Sequence, residues 1–346
     1  MKVLILQTAF LGDVILCSSL VESLKRAGHE VGIVVKQEAA ALYEKDERIA
    51  NLHIFDKRGK DRGVRGLLRL STQLKQQGYD AAVIPHRSFR SAFLVCMAGV
   101  PIRIGFITSA GSRLFTHRVA YNNQCHEIER NHELLKSLGI TGNPPAPHIT
   151  VSDDDTRSAE KFFEKSGIQE NAYVIGIGPG SRWFTKQWGE NRFKSLASLI
   201  AGKQGVHCIC FGGIDEKPLC ERICSADADK TCNAAGLLNL RESAAALKRV
   251  SVVVTNDNGF MHLAAASGAR VVALFGPTVP EFGFSPWGEG HAILSTEVYC
   301  RPCSIHGSKT CPEKHFRCMT ELGPEEVFDT VLKYVRSSQN NDSPSM

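Results

Sequence analysis

Two side chains in this sequence have the types and surroundings to drive a group transfer. Asp13 follows a glycine directly after the first apolar run, in Phe10-Leu11-Gly12-Asp13-Val14, and Lys186 closes a glycine-containing stretch in the second half. A carboxylate at a helix start can take a proton from a hydroxyl, and an ammonium can neutralise charge on a departing diphosphate. For Asp13 the plainer role is to offset the helix dipole, as acidic residues in a first turn do. A third feature is Val252-Val253-Val254-Thr255-Asn256-Asp257-Asn258-Gly259-Phe260-Met261-His262, an apolar strand running into small and polar residues that open a helix. Such junctions are where α/β proteins bind phosphorylated ligands. Asp257 can accept a proton or a hydroxyl, Gly259 lets a ligand approach the backbone, and His262 falls on the first helical turn. The competing role for Asn256 or Asp257 is a simple helix cap.

Two further loops follow apolar runs in the same half. In Ile177-Gly178-Pro179-Gly180-Ser181-Arg182-Trp183-Phe184-Thr185-Lys186-Gln187-Trp188, the glycines open the backbone, Ser181 can donate a hydrogen bond, and Lys186 supplies the charge. The alternative is a turn with a solvated lysine. Phe211-Gly212-Gly213-Ile214-Asp215-Glu216 offers a carboxylate suited to a nucleoside hydroxyl, or merely a cap for the next helix. No Gly-x-Gly-x-x-Gly follows the first apolar run, which counts against a dinucleotide-binding domain.

The elements that must carry these residues read as α/β. Apolar, β-branched runs at Val3 to Leu6, Val31 to Val35 and Ala81 to Ile84 alternate with segments of helical period, one of them marked by Val14, Cys17, Val21 and Leu24. The proline-rich stretch Gly142 to Pro147 breaks this pattern, and a second series begins near Tyr173. Its strands are expected at about Val174 to Ile177, Val206 to Phe211, Val252 to Thr255 and Val271 to Phe275. The expectation is two doubly wound, Rossmann-like domains, 1–150 and 151–336, facing a central cleft, with a disordered polar tail over 337–346.

Composition narrows the partners. A net charge of +5 over 346 residues, with 43% hydrophobic residues, favours neither a nucleic-acid binder nor a membrane-spanning chain. The apolar N-terminus is short and runs into Gly12-Asp13, so it reads as a strand rather than a signal peptide. The twelve cysteines are scattered through strand-like and helix-like runs, as reduced thiols in a cytoplasmic protein would be. Cys300, Cys303, Cys311 and Cys318 concentrate four of them in one loop, which reads either as a structural zinc site or as ordinary thiols. No cofactor is required for catalysis on this reading, because Lys186 and helix termini already serve the leaving group.

Between Lys57 and Lys75 the chain carries Lys57, Arg58, Lys60, Arg62, Arg65 and Arg69, with Val64, Leu67, Leu68 and Leu74 expected on the opposing helical face. A basic amphipathic helix can rest on an anionic membrane, or simply pack its stripe on its own sheet. Arg87, Arg90 and Arg103 fall near strand ends, where they are expected to meet acceptor phosphates or carboxylates.

Taken as a set, Gly12-Asp13, Lys186-x-Trp188, Asp257-x-Gly259-x-x-His262 and Cys318-Met319 resemble the ADP-heptose:lipopolysaccharide heptosyltransferases, glycosyltransferase family nine. Arg87-Ser88, Gly99-Val100-Pro101-x-Arg103-x-Gly105-Phe106 and His126-Glu127-x-x-Arg130-Asn131 also look like this family. The resemblance implies a GT-B fold, an ADP-heptose donor in the C-terminal half and a lipopolysaccharide inner-core glycolipid acceptor in the N-terminal half. It implies inverting transfer at the cytoplasmic surface of the inner membrane, by a peripherally associated enzyme most like those adding the second heptose. Carried over, Asp13 is the general base, and Lys186 with the helix start near Asp257 stabilises the diphosphate. Ser181, Glu216, Asp257, Asn258, Gly259 and His262 hold the donor, while Gly12, Arg62, Arg87, Arg90 and Arg103 meet the acceptor. Asn258 departs from the threonine many relatives carry, exchanging a hydroxyl for an amide. Rival classes are a related transferase with another sugar nucleotide or acceptor, a non-catalytic sugar-nucleotide binder, and an epimerase needing no acceptor.

Overall fold

A computed structural model of the chain describes the backbone of residues 1–57, 59 and 61–341, and side chains through Val335. It divides into two compact units, Met1–Thr150 and Val151 onward.

The first unit is built on six parallel strands: β1 (Lys2–Leu6), β2 (Glu30–Val35), β3 (Ile49–Ile54), β4 (Ala81–Ile84), β5 (Ile102–Phe106) and β6 (His117–Val119). They lie in the order β3-β2-β1-β4-β5-β6. Val3 to Leu6 and Ala81 to Ile84 are wholly buried, as continuous apolar runs must be in a parallel sheet covered on both faces. The second unit repeats the plan with β7 (Tyr173–Gly178), β8 (Val206–Cys210), β9 (Thr231–Asn233), β10 (Val252–Asn256), β11 (Arg270–Leu274) and β12 (Ala292–Leu294). Its order is β12-β11-β10-β7-β8-β9, again all parallel.

Both orders are the Rossmann arrangement, in which the chain reverses its direction of travel beside the first strand of the sheet. The crevice at that reversal, outside the carboxyl ends of the strands, is where such folds bind ligands. It falls between β1 and β4 in the first unit and between β7 and β10 in the second.

Three expectations change. The stripe of Val14, Cys17, Val21 and Leu24 is buried, yet it is shared by two short helices, Leu11–Leu16 and Ser18–Arg26, that break at Cys17. The basic helix spans Gly63–Gln77, and its buried stripe is Leu67, Leu70 and Leu74, whereas Val64 is 71% and Leu68 43% exposed. A spacing of three to four residues keeps 67, 70 and 74 on one face and turns 68 away from it. At the C-terminus, the helix Pro324–Asn341 continues past Ser337, where polar composition suggested that order ends. Extending a helix already nucleated on packed Val327 and Val331 needs no apolar residues of its own. Residues 342–346 lie outside the described residues.

Candidate functional site

In the first unit, β1 leads through Gln7 and Thr8 to Gly12 and Asp13, the latter in the first turn of the helix Leu11–Leu16. The Phe10 N–H donates to Asp13 Oδ2 at 3.2 Å, so this carboxylate does cap its helix. Its titration is nonetheless unusual. Burial, reinforced by the charge of Glu127, pushes the carboxyl up to about 7, against backbone hydrogen bonds from Phe10 and Asp13 and the opposing charge of Arg87. Glu127 is itself buried, accepting from the Tyr121 hydroxyl at 2.8 Å and from Arg130 at 2.9 Å. Arg87, which follows His86 three residues past the end of β4, lies over the Tyr121 ring at 4.3 Å. A carboxylate tuned close to neutrality suits a general base, since it is deprotonated in use yet basic enough to accept a proton.

Basic groups gather at the same strand ends. Lys57, just past β3, donates to Thr8 Oγ1 at 2.9 Å, and the same hydroxyl contacts His86 Nδ1 at 3.0 Å. Burial, together with the charges of Lys36 and Arg90, brings the Lys57 ammonium down to about 8. Burial and nearby cations, Lys57 foremost, bring His86 down to about 4. Exposed Arg90 sits in the first turn of the helix Phe89–Met97. This concentration of positive charge was only partly visible in the sequence. Lys36 and His86 carried no expectation, and nothing local to either residue marks it.

In the second unit, the side chains ending β10 fasten the loop that follows β7. Thr255 Oγ1 donates to the Gly178 carbonyl at 3.0 Å. Asn256 Nδ2 donates to the Pro179 carbonyl at 2.8 Å, and Asn258 Nδ2 to that of Gly180 at 2.6 Å. The Asn256 carbonyl oxygen accepts from the Trp188 N–H at 3.0 Å, closing the loop from its far side. Asn258 has a second task, because its Oδ1 accepts from the Met261 N–H at 2.9 Å and so caps the helix Gly259–Ala266. That cap fell on Asn258 rather than on Asn256 or Asp257.

The charged pair at this junction is Lys186 and Asp257, with Nζ 2.6 Å from Oδ2 and both side chains largely buried. Thr278, following β11, donates to the same Oδ2 at 2.6 Å. His262 is buried on the first turns of the helix Gly259–Ala266, and Phe260 stacks on Phe211 with ring centroids 5.4 Å apart. Glu216 Oε2 accepts from the Gly213 N–H at 2.9 Å. Its carboxylate occupies the space beside Gly180, where an added Cβ would fall 1.6 Å from Oε1. Ser181 bonds within its own turn, accepting from the Trp183 N–H at 3.4 Å. Asp257, Lys186, Ser181, Asn258, Gly259, His262 and Glu216 thus all belong to loops and helix starts at the carboxyl ends of β7, β8 and β10.

Other candidates are placed elsewhere. Arg103 lies near the amino end of β5, and its guanidinium is spent on the carbonyls of Leu114 at 2.7 Å, Val100 at 2.6 Å and Pro101 at 3.3 Å. It braces the turn around β5 rather than facing an acceptor. Arg62 is exposed at the start of the helix Gly63–Gln77, where Arg69 pairs with buried Asp61. Arg58 and Lys60 lie outside the described residues. The four clustered cysteines lie near enough to one another that burial, and after it Cys303, Cys300 and Cys311, raise the Cys318 thiol. Cys318 is buried in the core, Cys303 is exposed, and Cys300 Sγ lies 3.9 Å from His315 Nε2. Among the described residues, no group of three or more His, Cys, Asp or Glu side chains assembles to hold a metal ion. All twelve cysteines are free thiols.

Two Rossmann-ordered units, one presenting a near-neutral aspartate and the other a lysine on a glycine-opened, phosphate-type loop, define a GT-B glycosyltransferase. The sequence profile of glycosyltransferase family 9 (heptosyltransferase) matches residues 67–316, and the chain belongs to that family. Lipooligosaccharide heptosyltransferase 2 of Campylobacter jejuni is 26% identical over 250 residues, covering 69% of this chain and 76% of that one. Among solved structures, a family 9 glycosyltransferase from Veillonella parvula superposes with a TM-score of 0.86 at 22% identity, covering 97% of each chain. The E. coli ADP-heptose lps heptosyltransferase II superposes with a TM-score of 0.81 at 19% identity, over 98% of this chain and 100% of that one.

Proposed function

We propose that the protein transfers heptose from ADP-heptose to an inner-core glycolipid of lipopolysaccharide, with inversion at the anomeric carbon. The observation that carries this reading is the Lys186–Asp257 pair at 2.6 Å, set at the crevice of the second unit beside the loop Gly178–Ser181. A diphosphate entering there exchanges one carboxylate partner of the lysine for a stronger polyanion. The glycines leave backbone exposed to it, and Glu216 stands ready for nucleoside hydroxyls. The acceptor hydroxyl attacks the anomeric carbon as its proton passes to Asp13, the bond from that carbon to the diphosphate oxygen breaks, and ADP departs against Lys186. The identity of the sugar nucleotide draws on relatives whose names specify heptose, and in the E. coli structure ADP-heptose.

The acceptor side rests on the cations Lys57, Arg87 and Arg90 near Asp13, which match the phosphates and carboxylates of such a glycolipid. The exposed pair Val64 and Leu68, on the helix that also carries Arg62 and Arg65, supports peripheral contact with the anionic cytoplasmic surface of the inner membrane. No described helix is long and apolar enough to cross a membrane. Incubating purified protein with ADP-heptose and a series of core-truncated lipopolysaccharides, then weighing the lipids by mass spectrometry, tests the proposal. The expected result is a gain of one heptose on one acceptor. ADP-heptose binding without gain on any acceptor would replace the acceptor class, and absence of binding would replace the donor.

A further inference from the structure

Lys186 stands on a single 3-10 turn, Phe184–Lys186, too short to fix a long side chain through its own hydrogen bonds. What holds the turn comes from a segment more than a hundred residues away in sequence. Thr185, 1% exposed, donates through its N–H to the Ser308 carbonyl at 3.2 Å and through Oγ1 to the same carbonyl at 3.1 Å. In return the Ser308 N–H donates to Thr185 Oγ1 at 2.8 Å. Gly307, at φ +87°, packs so closely that an added Cβ would lie 2.9 Å from Trp183 Cβ and 3.1 Å from Lys186 Cγ. At the far end of the segment, Phe316 stacks on Phe184 with centroids 5.2 Å apart.

We propose that the segment from Gly307 to Phe316 is the seat of Lys186, with Thr185 and Gly307 as positioning residues that set where its ammonium meets the leaving diphosphate. This gives the loop bearing the clustered cysteines a role in the reaction that requires no metal. The proposal rests on the reading of Lys186 as the leaving-group cation. Its physical basis is that a lysine carries much rotamer freedom, which only contacts along its stem and backbone remove. The Thr185 hydroxyl is the hinge of the arrangement, because it donates to one Ser308 backbone group and accepts from the other. A Thr185→Val side chain fills the same space and can do neither.

The test compares Thr185→Val, Thr185→Ser and Gly307→Ala with wild type, in the full chain, by two measurements. The first is kcat and donor KM for heptose transfer. The second is the rate at which an amine-reactive reagent labels Lys186 with no substrate present, read by peptide mass spectrometry. In the folded protein Lys186 is shielded, its side chain being 12% exposed and paired with Asp257. Thr185→Val is expected to lower kcat roughly tenfold or more, as small misplacements of a reacting group do, with a smaller change in donor KM. Lys186 labelling is expected to rise severalfold in the same variant. Thr185→Ser, which keeps the hydroxyl, restores both values, and Gly307→Ala shifts both in the direction of Thr185→Val. Should Thr185→Val fail to fold, the comparison of Gly307→Ala with wild type decides alone. Wild-type kcat and wild-type labelling in a folded Thr185→Val or Gly307→Ala protein would overturn the proposal, as would a loss that Thr185→Ser shares in full. If the wild type transfers no heptose to any acceptor, the functional reading fails, while the labelling comparison still decides whether this segment seats Lys186.

Discussion

Asp13 offers the sharpest test of the proposed chemistry, because its carboxyl is pushed up to about 7 by burial and by the charge of Glu127. A general base works only when deprotonated, so kcat/KM is expected to follow the fraction of Asp13 in that form. With an apparent value of about 7, that fraction is roughly 0.1 at pH 6 and roughly 0.9 at pH 8, a rise of about tenfold that approaches unit slope only below about pH 6. An ordinary aspartate would be fully ionised throughout and give a flat profile over the same range. The assay is initial-rate transfer at limiting acceptor from pH 5.5 to 9, alongside Asp13→Asn. The substitution should remove the limb and leave activity at least a hundredfold lower. The same shift has a stability counterpart whose sign is opposite to that of activity. The folded state holds this proton more tightly than the unfolded chain, so stability attributable to Asp13 is full below the unfolded value of 3.8 and is lost as pH rises through about 7. Asp13→Asn is therefore expected to melt higher than wild type at pH 8, with the advantage gone near pH 4. A flat wild-type profile between pH 6 and 8, or a limb that survives in Asp13→Asn, would refute the assignment.

Three more outcomes follow from the second unit. Lys186→Ala should lower kcat by about a hundredfold or more, the scale seen when a donor to developing charge is removed, with circular dichroism confirming an intact fold. Gly180→Ala places a Cβ 1.6 Å from Glu216 Oε1, so the carboxylate must move; titration calorimetry with ADP is expected to show affinity reduced severalfold. Asp155 accepts from buried Arg241 at 3.0 Å. Asp155→Ala removes that buried carboxylate from the guanidinium and should cost about 3 kcal/mol in a denaturant titration.

Strands β1, β2, β4, β7, β8, β10 and β11 were legible in the sequence because continuous β-branched runs such as Val252-Val253-Val254 have no other stable home than a doubly covered sheet, whereas β5, interrupted by Arg103 and Gly105, was not. The outer strands were not, for a physical reason. β3 is only half-buried along most of its length, and β6, β9 and β12 have three residues each, so no periodicity can accumulate. At the candidate site, Asp13, Lys186, Asp257 and Gly180 stood out because small residues and charges follow strands there. The parts that went unseen are long-range pairings. Glu127 acts on Asp13 across more than a hundred residues, and Asn256 binds the loop after β7 through an amide that local sequence presents as a helix cap. Thr278 and Ser308 reach Asp257 and Thr185 in the same way. Arg103 shows the converse, since its position beside a strand suggested ligand contact until its guanidinium was found closing a turn.

The Lys186–Asp257 contact also bears on how a catalytic cycle would end. An unpaired, largely buried ammonium would grip a spent nucleotide diphosphate as firmly as a fresh donor, and the enzyme would stall on its own product. Asp257 supplies an internal rival for that charge, tethered where no dilution can remove it and steadied by the Thr278 hydroxyl at 2.6 Å. On the proposed reading, the carboxylate would reclaim the lysine as the nucleotide leaves. On that reading the residue that competes with the donor on the way in would also be the one that clears the seat for the next.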